Sequence, residues 1–161
     1  MLIMRFVHIL SAFWLITGLL GRWMAFAQAR RAADIQSAAA LLRLSERFEQ
    51  LMVIPGSQVV LIFGLLAAWL GGHPLLGALQ GARANWLLVS LALSISMIPI
   101  VTLLLVPRRK LRRLALEDAL AHGAFTAELR AALADRIVLG SRTAEMMITG
   151  AVLVLMVLKP F

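Results

Sequence analysis

The 161-residue chain contains no cysteine and no tyrosine. Without thiols there is no disulfide, no thiolate metal site and no cysteine nucleophile, and the usual clue to redox compartment is missing. Acidic residues are also scarce: eight Asp or Glu face sixteen Lys or Arg, giving a formal charge of +8. Glycine is present at Gly71, Gly72 and Gly77, but no strand pattern precedes it, which excludes a dinucleotide-binding turn. No nucleophile elbow and no zinc motif occurs.

Apolar residues are what the chain has in excess. They make up 61% of it, with a mean hydropathy of +0.90, whereas soluble domains run to ~45–50%. Four runs stand out: Phe6 to Phe26, Leu51 to Leu70, Trp86 to Val106 and Ile137 to Leu158. Each approaches the ~20 residues that cross a ~30 Å hydrocarbon core. The sequence therefore predicts an all-α integral membrane four-helix bundle, one transmembrane domain over residues 1–161. The fourth run is the weakest, because Arg142 and Glu145 fall in its first turns. Ala25-Phe26-Ala27 has the look of a leader-peptide cleavage site, but Arg22 and Trp23 stand just before it and His8 interrupts the apolar stretch, so the first run reads as a retained span.

The connections are patterned too. From Arg22 to Ile54 there is neither Gly nor Pro; Leu41, Leu44, Phe48 and Leu51 recur at helical spacing, with Arg43, Glu46, Arg47 and Gln50 on another face. This predicts an amphipathic helix capped by Asp34 and running into span two. Pro55-Gly56 and Pro99 are expected to kink spans two and three. The third connection opens with Arg108-Arg109-Lys110-Leu111-Arg112-Arg113; Leu111, Leu114 and Leu120 suggest an interfacial helix ended by Gly123, and Thr126 could cap a short helix through Leu133. Connection one carries five basic residues (Arg22, Arg30, Arg31, Arg43, Arg47) and connection three seven (Arg108, Arg109, Lys110, Arg112, Arg113, Arg130, Arg136), against Arg83 alone in connection two. The positive-inside rule then makes connections one and three cytoplasmic and puts both termini outside.

Three groups of residues could carry function. His8 and Arg22 lie fourteen residues apart, within about 40° of one another around a helix, and Ser11, Leu15 and Gly18 share their stripe. An arginine deep in a span costs ~2.5–3.5 kcal/mol, so such a stripe faces partner helices or a cavity. At its cytoplasmic end, Arg22 matches Arg142 and Glu145 of span four in depth; an Arg22 to Glu145 ion pair fixing helix packing, with Arg142 snorkelling to the headgroups, is weighed against a proton or ion pathway. At its outer end, His8 is either an interhelical hydrogen-bonding residue or a ligand for haem iron or a metal. His73 is expected on the same external side but belongs to a Gly-rich loop, and His122 lies in the cytoplasmic segment, too far away to join His8.

Arg108, Arg109, Lys110, Arg112 and Arg113 read as a contact with anionic lipid headgroups, at ~1 kcal/mol per basic residue. Nucleic acid is not expected as a partner, since no aromatics interleave with these charges and no nucleic-acid module is present. Met97, Met146, Met147 and Met156 offer thioethers for copper or, more simply, flexible packing. Ser90, Ser94, Ser11 and Gly18 supply small-residue faces that let helices approach.

The strings Val7-His8-Ile9-Leu10-Ser11-Ala12-Phe13-Trp14, Gly18-Leu19-Leu20-Gly21-Arg22, Arg47-Phe48, Leu51-Met52-Val53-Ile54-Pro55-Gly56-Ser57, Asn85-Trp86-Leu87-Leu88-Val89-Ser90 and the tail Val154 to Phe161 resemble the bacterial four-span proteins of domain-of-unknown-function family 2269. That resemblance implies a multi-pass protein of the bacterial inner membrane with no assigned activity. A more distant similarity is to HemJ-type protoporphyrinogen oxidases and CopD-type copper-resistance proteins, whose first span maps onto His8, Trp14, Gly18 and, for the HemJ group, Arg22. It implies haem b with His8 as axial ligand, although Leu88 to Pro99 of span three contains no histidine. Two readings follow: a non-enzymatic membrane subunit packing against lipid and against other subunits or further copies of itself, or a haem b-binding redox protein.

Overall fold

The structure, a computed structural model, describes residues 2–81 and 85–159. Arg83, counted above in connection two, and Pro160 and Phe161 of the tail string lie outside the described residues. Among the described residues the chain is helical and contains no strand. Seven α-helices follow one another among these residues: α1 (Leu2–Ala29), α2 (Ile35–Phe48), α3 (Ile54–Leu70), α4 (Trp86–Pro99), α5 (Val106–His122), α6 (Ala127–Leu133) and α7 (Arg136–Leu158). Four stretches are long and apolar enough to cross a membrane: α1 itself, Ile35–Leu70, Trp86–His122 and Ala127–Leu158.

Helix ends follow local chemistry. Asp34 starts α2: its carboxylate accepts the Ser37 N–H at 2.8 Å and the Ser37 hydroxyl at 2.7 Å. The Thr126 hydroxyl accepts the Leu129 N–H at 3.3 Å, and the Asp135 carboxylate accepts the Ile137 N–H at 2.8 Å to open α7. Gly123 closes α5 with φ +66°, a left-handed conformation that costs glycine little.

Beside Pro55 and Pro99 the helices run on without a break, through widened turns. The π-helical turns at Glu49–Val53 and Ile100–Leu105 join α2 to α3 and α4 to α5. The Ile54 N–H reaches back to the Glu49 carbonyl, and the Val106 N–H to the Val101 carbonyl. Pro55 and Pro107 lack the N–H that a regular turn would use, and a widened turn absorbs the mismatch while turning the following residues to a new face.

The buried face of α2 differs from the expected one. Along α2 the buried residues are Ile35, Ala38, Ala39, Leu42 and Ser45, while Leu44 and, beyond the helix, Leu51 are exposed. Small side chains decide this: Ala38 and Ala39 let α2 lie close against α1, where Ala25 and Ala29 are buried in turn. Along α5 the buried face is Arg112, Leu116 and Ala119, with Leu111 and Leu114 turned outward.

The helices associate as two pairs. α1 packs along α2 and α3, and α4 packs along α7. The pairs meet where α2 touches α5 and over a short stretch of α1 and α7. The most buried apolar residues gather at that end, including Phe26, Ala29, Leu42, Leu105, Leu129 and Val138; it also carries the arginines of the first and third connections, and is called the basic end below. The approach of α1 to the first π turn and to α3 is set by glycines. A Cβ on Gly18 would fall 2.6 Å from Met52 Cβ, and one on Gly56 3.2 Å from Leu15 Cα.

Candidate functional site: a buried charge cluster at the basic end

Four elements bring charge to one place. α1 contributes Arg22 and the ring of Phe26, the first π turn Glu49, α5 Arg109 and Arg112, and α7 Arg142 and Glu145. Arg22 is only 2% exposed. Its Nη2 donates to Glu145 Oε2, and its Nη1 lies 3.7 Å from Glu49 Oε1. Glu49 Oε1 also accepts from Arg109 Nη2, so one carboxylate holds α1 and α5 together. The Ser45 hydroxyl donates to the Arg22 carbonyl at 3.1 Å, tying α2 to the same turn of α1.

Arg112 and Arg142 are buried without a carboxylate within salt-bridge distance among the described residues. Both face Phe26: the Arg142 guanidinium carbon lies 4.0 Å from the ring centroid and that of Arg112 5.3 Å. A desolvated cation over an aromatic face gains ~2 kcal/mol, which offsets part of the cost of burying these charges. Four guanidinium groups (Arg22, Arg109, Arg112, Arg142) thus face two carboxylates (Glu49, Glu145), an excess of two positive charges. Glu46 on α2, half-buried and in no ion pair among the described residues, extends its field to Arg109 and Arg112 and reduces that excess to one.

Two buried donors in the cluster, Arg22 Nε and Arg142 Nη1, have no hydrogen-bond partner among the described residues. Beside them is a cavity of about 10 Å³ lined by Arg22, Glu49, Leu105, Arg109, Arg112, Val138 and Arg142. That is room for a single water-sized atom.

The remaining residues singled out in the sequence lie elsewhere. His8, on α1 at the opposite end, has Nδ1 3.0 Å from the Val60 carbonyl, which assigns the proton to Nδ1, and its ring covers Gly64, where a Cβ would fall 2.8 Å from Cε1. His73 meets Trp86 edge-on at 5.9 Å, and His122 Nδ1 lies 2.9 Å from the Asp118 carbonyl. Among the described residues no group of three or more His, Asp or Glu is placed to hold a metal ion. The Nδ1 hydrogen bond leaves Nε2 of His8 for another partner, as in ligating histidines, and among the described residues no second imidazole joins His8.

The basic run divides. Arg109 and Arg112 turn into the cluster, Arg108 pairs with Asp135 at 3.1 Å, Arg113 pairs with Glu117 at 3.1 Å on the surface, and Lys110 is exposed. Met147 is exposed, while Met146 lines a second, apolar recess of about 120 Å³ between α1 and α7 with Ile16, Leu19, Leu20, Thr149, Gly150 and Leu153. Ser90 and Ser94 bond to their own helix, to the carbonyls of Trp86 and Ser90.

Sequence reasoning had no place in the cluster for Glu49, Phe26 or the inward arginines of α5. A usable sign for Glu49 was available: it continues the spacing of Leu42 and Ser45 and stands immediately before an apolar span, at the depth of Arg22.

No curated protein and no solved structure matches the chain. The sequence pattern of the family described as "Predicted integral membrane protein (DUF2269)" matches residues 2–160, and helices long and apolar enough to cross a membrane agree with that description. The chain belongs to this family of predicted integral membrane proteins.

Proposed function

We propose that this protein is a non-enzymatic subunit or scaffold of the bacterial inner membrane that packs against other membrane helices and lipid, with its basic end cytoplasmic and both termini outside. The observation that carries this reading is the apolar recess between the helix pairs. Gly150 lies on its wall, and a Cβ there would meet nothing within 4 Å. A small residue facing open space within a span leaves room for the close approach of another helix, the usual use of small residues in membrane packing. The outward leucines of α5, Leu111 and Leu114, suit the interfacial layer, with Lys110 and Arg113 at headgroup level.

Gly150→Leu tests the reading. Because the position is open, the isolated chain should keep its melting temperature, while a larger complex seen for the unaltered protein on native gels in mild detergent should dissociate. A monomer under those conditions, or a complex indifferent to the substitution, would overturn the proposal.

The haem b alternative has one favourable observation, the free Nε2 of His8. The same preparation decides it: a Soret band lost in His8→Ala would establish haem, and a colourless protein would remove this alternative.

A further inference from the structure

The cluster at the basic end has more cation than its carboxylates balance, and its two unpartnered donors are both on residues more than nine-tenths buried, Arg22 at 2% and Arg142 at 4% exposure. A buried N–H without an acceptor is costly, and one on a charged group costs more. A single water in the cavity could accept from both donors, but it would leave the excess positive charge in place. An anion does both things at once.

Size and access narrow the kind of anion. The cavity admits one oxygen-sized atom, and one of its walls is Arg109, whose side chain is 26% exposed and so forms the open side. The basic run that begins with Arg108 and Arg109 follows directly on the apolar part of the third span, so the mouth lies where headgroups begin. An oxyanion can place one oxygen among the guanidinium groups and keep its remaining oxygens at the mouth. Guanidinium forks match phosphate in shape and charge.

We propose that this cavity binds one oxygen of a phosphate group, donated to by Arg22 Nε and Arg142 Nη1 and flanked by Arg109 and Arg112. The phosphate is that of an anionic lipid headgroup or free phosphate; the site does not depend on whether the chain acts as a scaffold.

The test uses the full chain, stripped of lipid in an uncharged detergent, with melting followed by tryptophan fluorescence. One arm titrates inorganic phosphate against chloride at constant ionic strength; the other titrates phosphatidylglycerol against phosphatidylcholine. A saturable upward shift of several degrees is expected. If phosphate and phosphatidylglycerol both produce it, the free ion suffices; if phosphatidylglycerol alone does, the headgroup is the ligand. Arg142→Gln should abolish the shift, and Arg113→Gln, a change on the exposed side of α5, should retain it. Should Arg142→Gln not fold, Arg142→Lys keeps the charge but loses the guanidinium fork, and is expected to weaken apparent affinity by about tenfold or more. No saturable shift in either arm, or equal affinity in Arg142→Lys and the unaltered protein, would overturn the site.

Discussion

Arg22 is the residue on which the basic end is organised. It is held by a carboxylate from α7 and lies close to one from the first π turn, and its own carbonyl takes the Ser45 hydroxyl. Removing one partner of a buried ion pair leaves the other charge desolvated and uncompensated, at a cost of about 3–5 kcal/mol. Glu145→Gln and Arg22→Gln should therefore each lower thermal stability by that order, and the double substitution should lose less than the sum of the two. Melting of the three variants in detergent checks this, and strictly additive losses would show that the residues act independently. Glu49→Gln should be comparably harmful, whereas Glu46→Gln, which breaks no ion pair, should change stability by less than about 1 kcal/mol. The depth of Arg22 and Glu145 could be worked out from the sequence, because successive spans alternate in direction and both residues stand near the same end. What a run of arginines does could not. Arg112 and Arg113 are neighbours of the same type, and the packing of α5 through Leu116 and Ala119 makes one a buried cation over the Phe26 ring and leaves the other on the surface.

At the scale of elements, helix contact is governed by where side chains are absent. α1 closes on α3 over Gly56 and Gly64 and on the first π turn over Gly18, whose neighbour is the Cβ of Met52, an atom that cannot swing aside. Gly18→Val should force α1 away from the π turn and cost about 1–3 kcal/mol, as overpacking does, read as a lowered melting temperature; an unchanged value would mean that α1 is free to slide there. The start of α2 makes a different, pH-dependent prediction. The Ser37 N–H, followed by the Ser37 hydroxyl, holds the Asp34 carboxyl below its ordinary pKa of 3.8. A depressed carboxyl stabilises the fold above the unfolded value, and that stabilisation is lost as pH falls below 3.8 through the lower folded value. Asp34→Ala should therefore lower the melting temperature at neutral pH and flatten its decline in acid; a variant with the same acid profile as the parent would rule out the cap as the titrating group. The spans and caps were legible because run length, a capping carboxylate and a glycine stop act locally. The buried face of α2 was not: leucine spacing suggested one stripe, but the fit of Ala38 and Ala39 against α1 chose another, and that fit is a property of the pair.

Across the whole molecule, the two helix pairs are joined firmly at one end and loosely along the rest. At the basic end ion pairs, the cation contacts of Phe26 and the apolar residues around Leu105 and Val138 connect them, while farther along α1 and α7 flank the recess at Leu20 and Leu153. Free energies of local opening follow the density of buried contacts, so motion between the pairs should grow with distance from the cluster. The lack of cysteine makes this directly measurable, since two introduced thiols are the only labelling sites in the chain. Spin labels at Leu10→Cys and Val157→Cys, exposed on α1 and α7 away from the cluster, should give a broad distance distribution. Labels at Arg43→Cys and Leu114→Cys, exposed on α2 and α5, should give a narrow one. Adding Glu49→Gln should broaden the second distribution, because it releases the carboxylate that joins the pairs through Arg109. If another helix occupies the recess in a larger assembly, the first distribution should sharpen there while the second stays as it was. Equal widths at the two ends of the isolated chain would mean that the pairs form one rigid body, and that the charge cluster is not what holds them together.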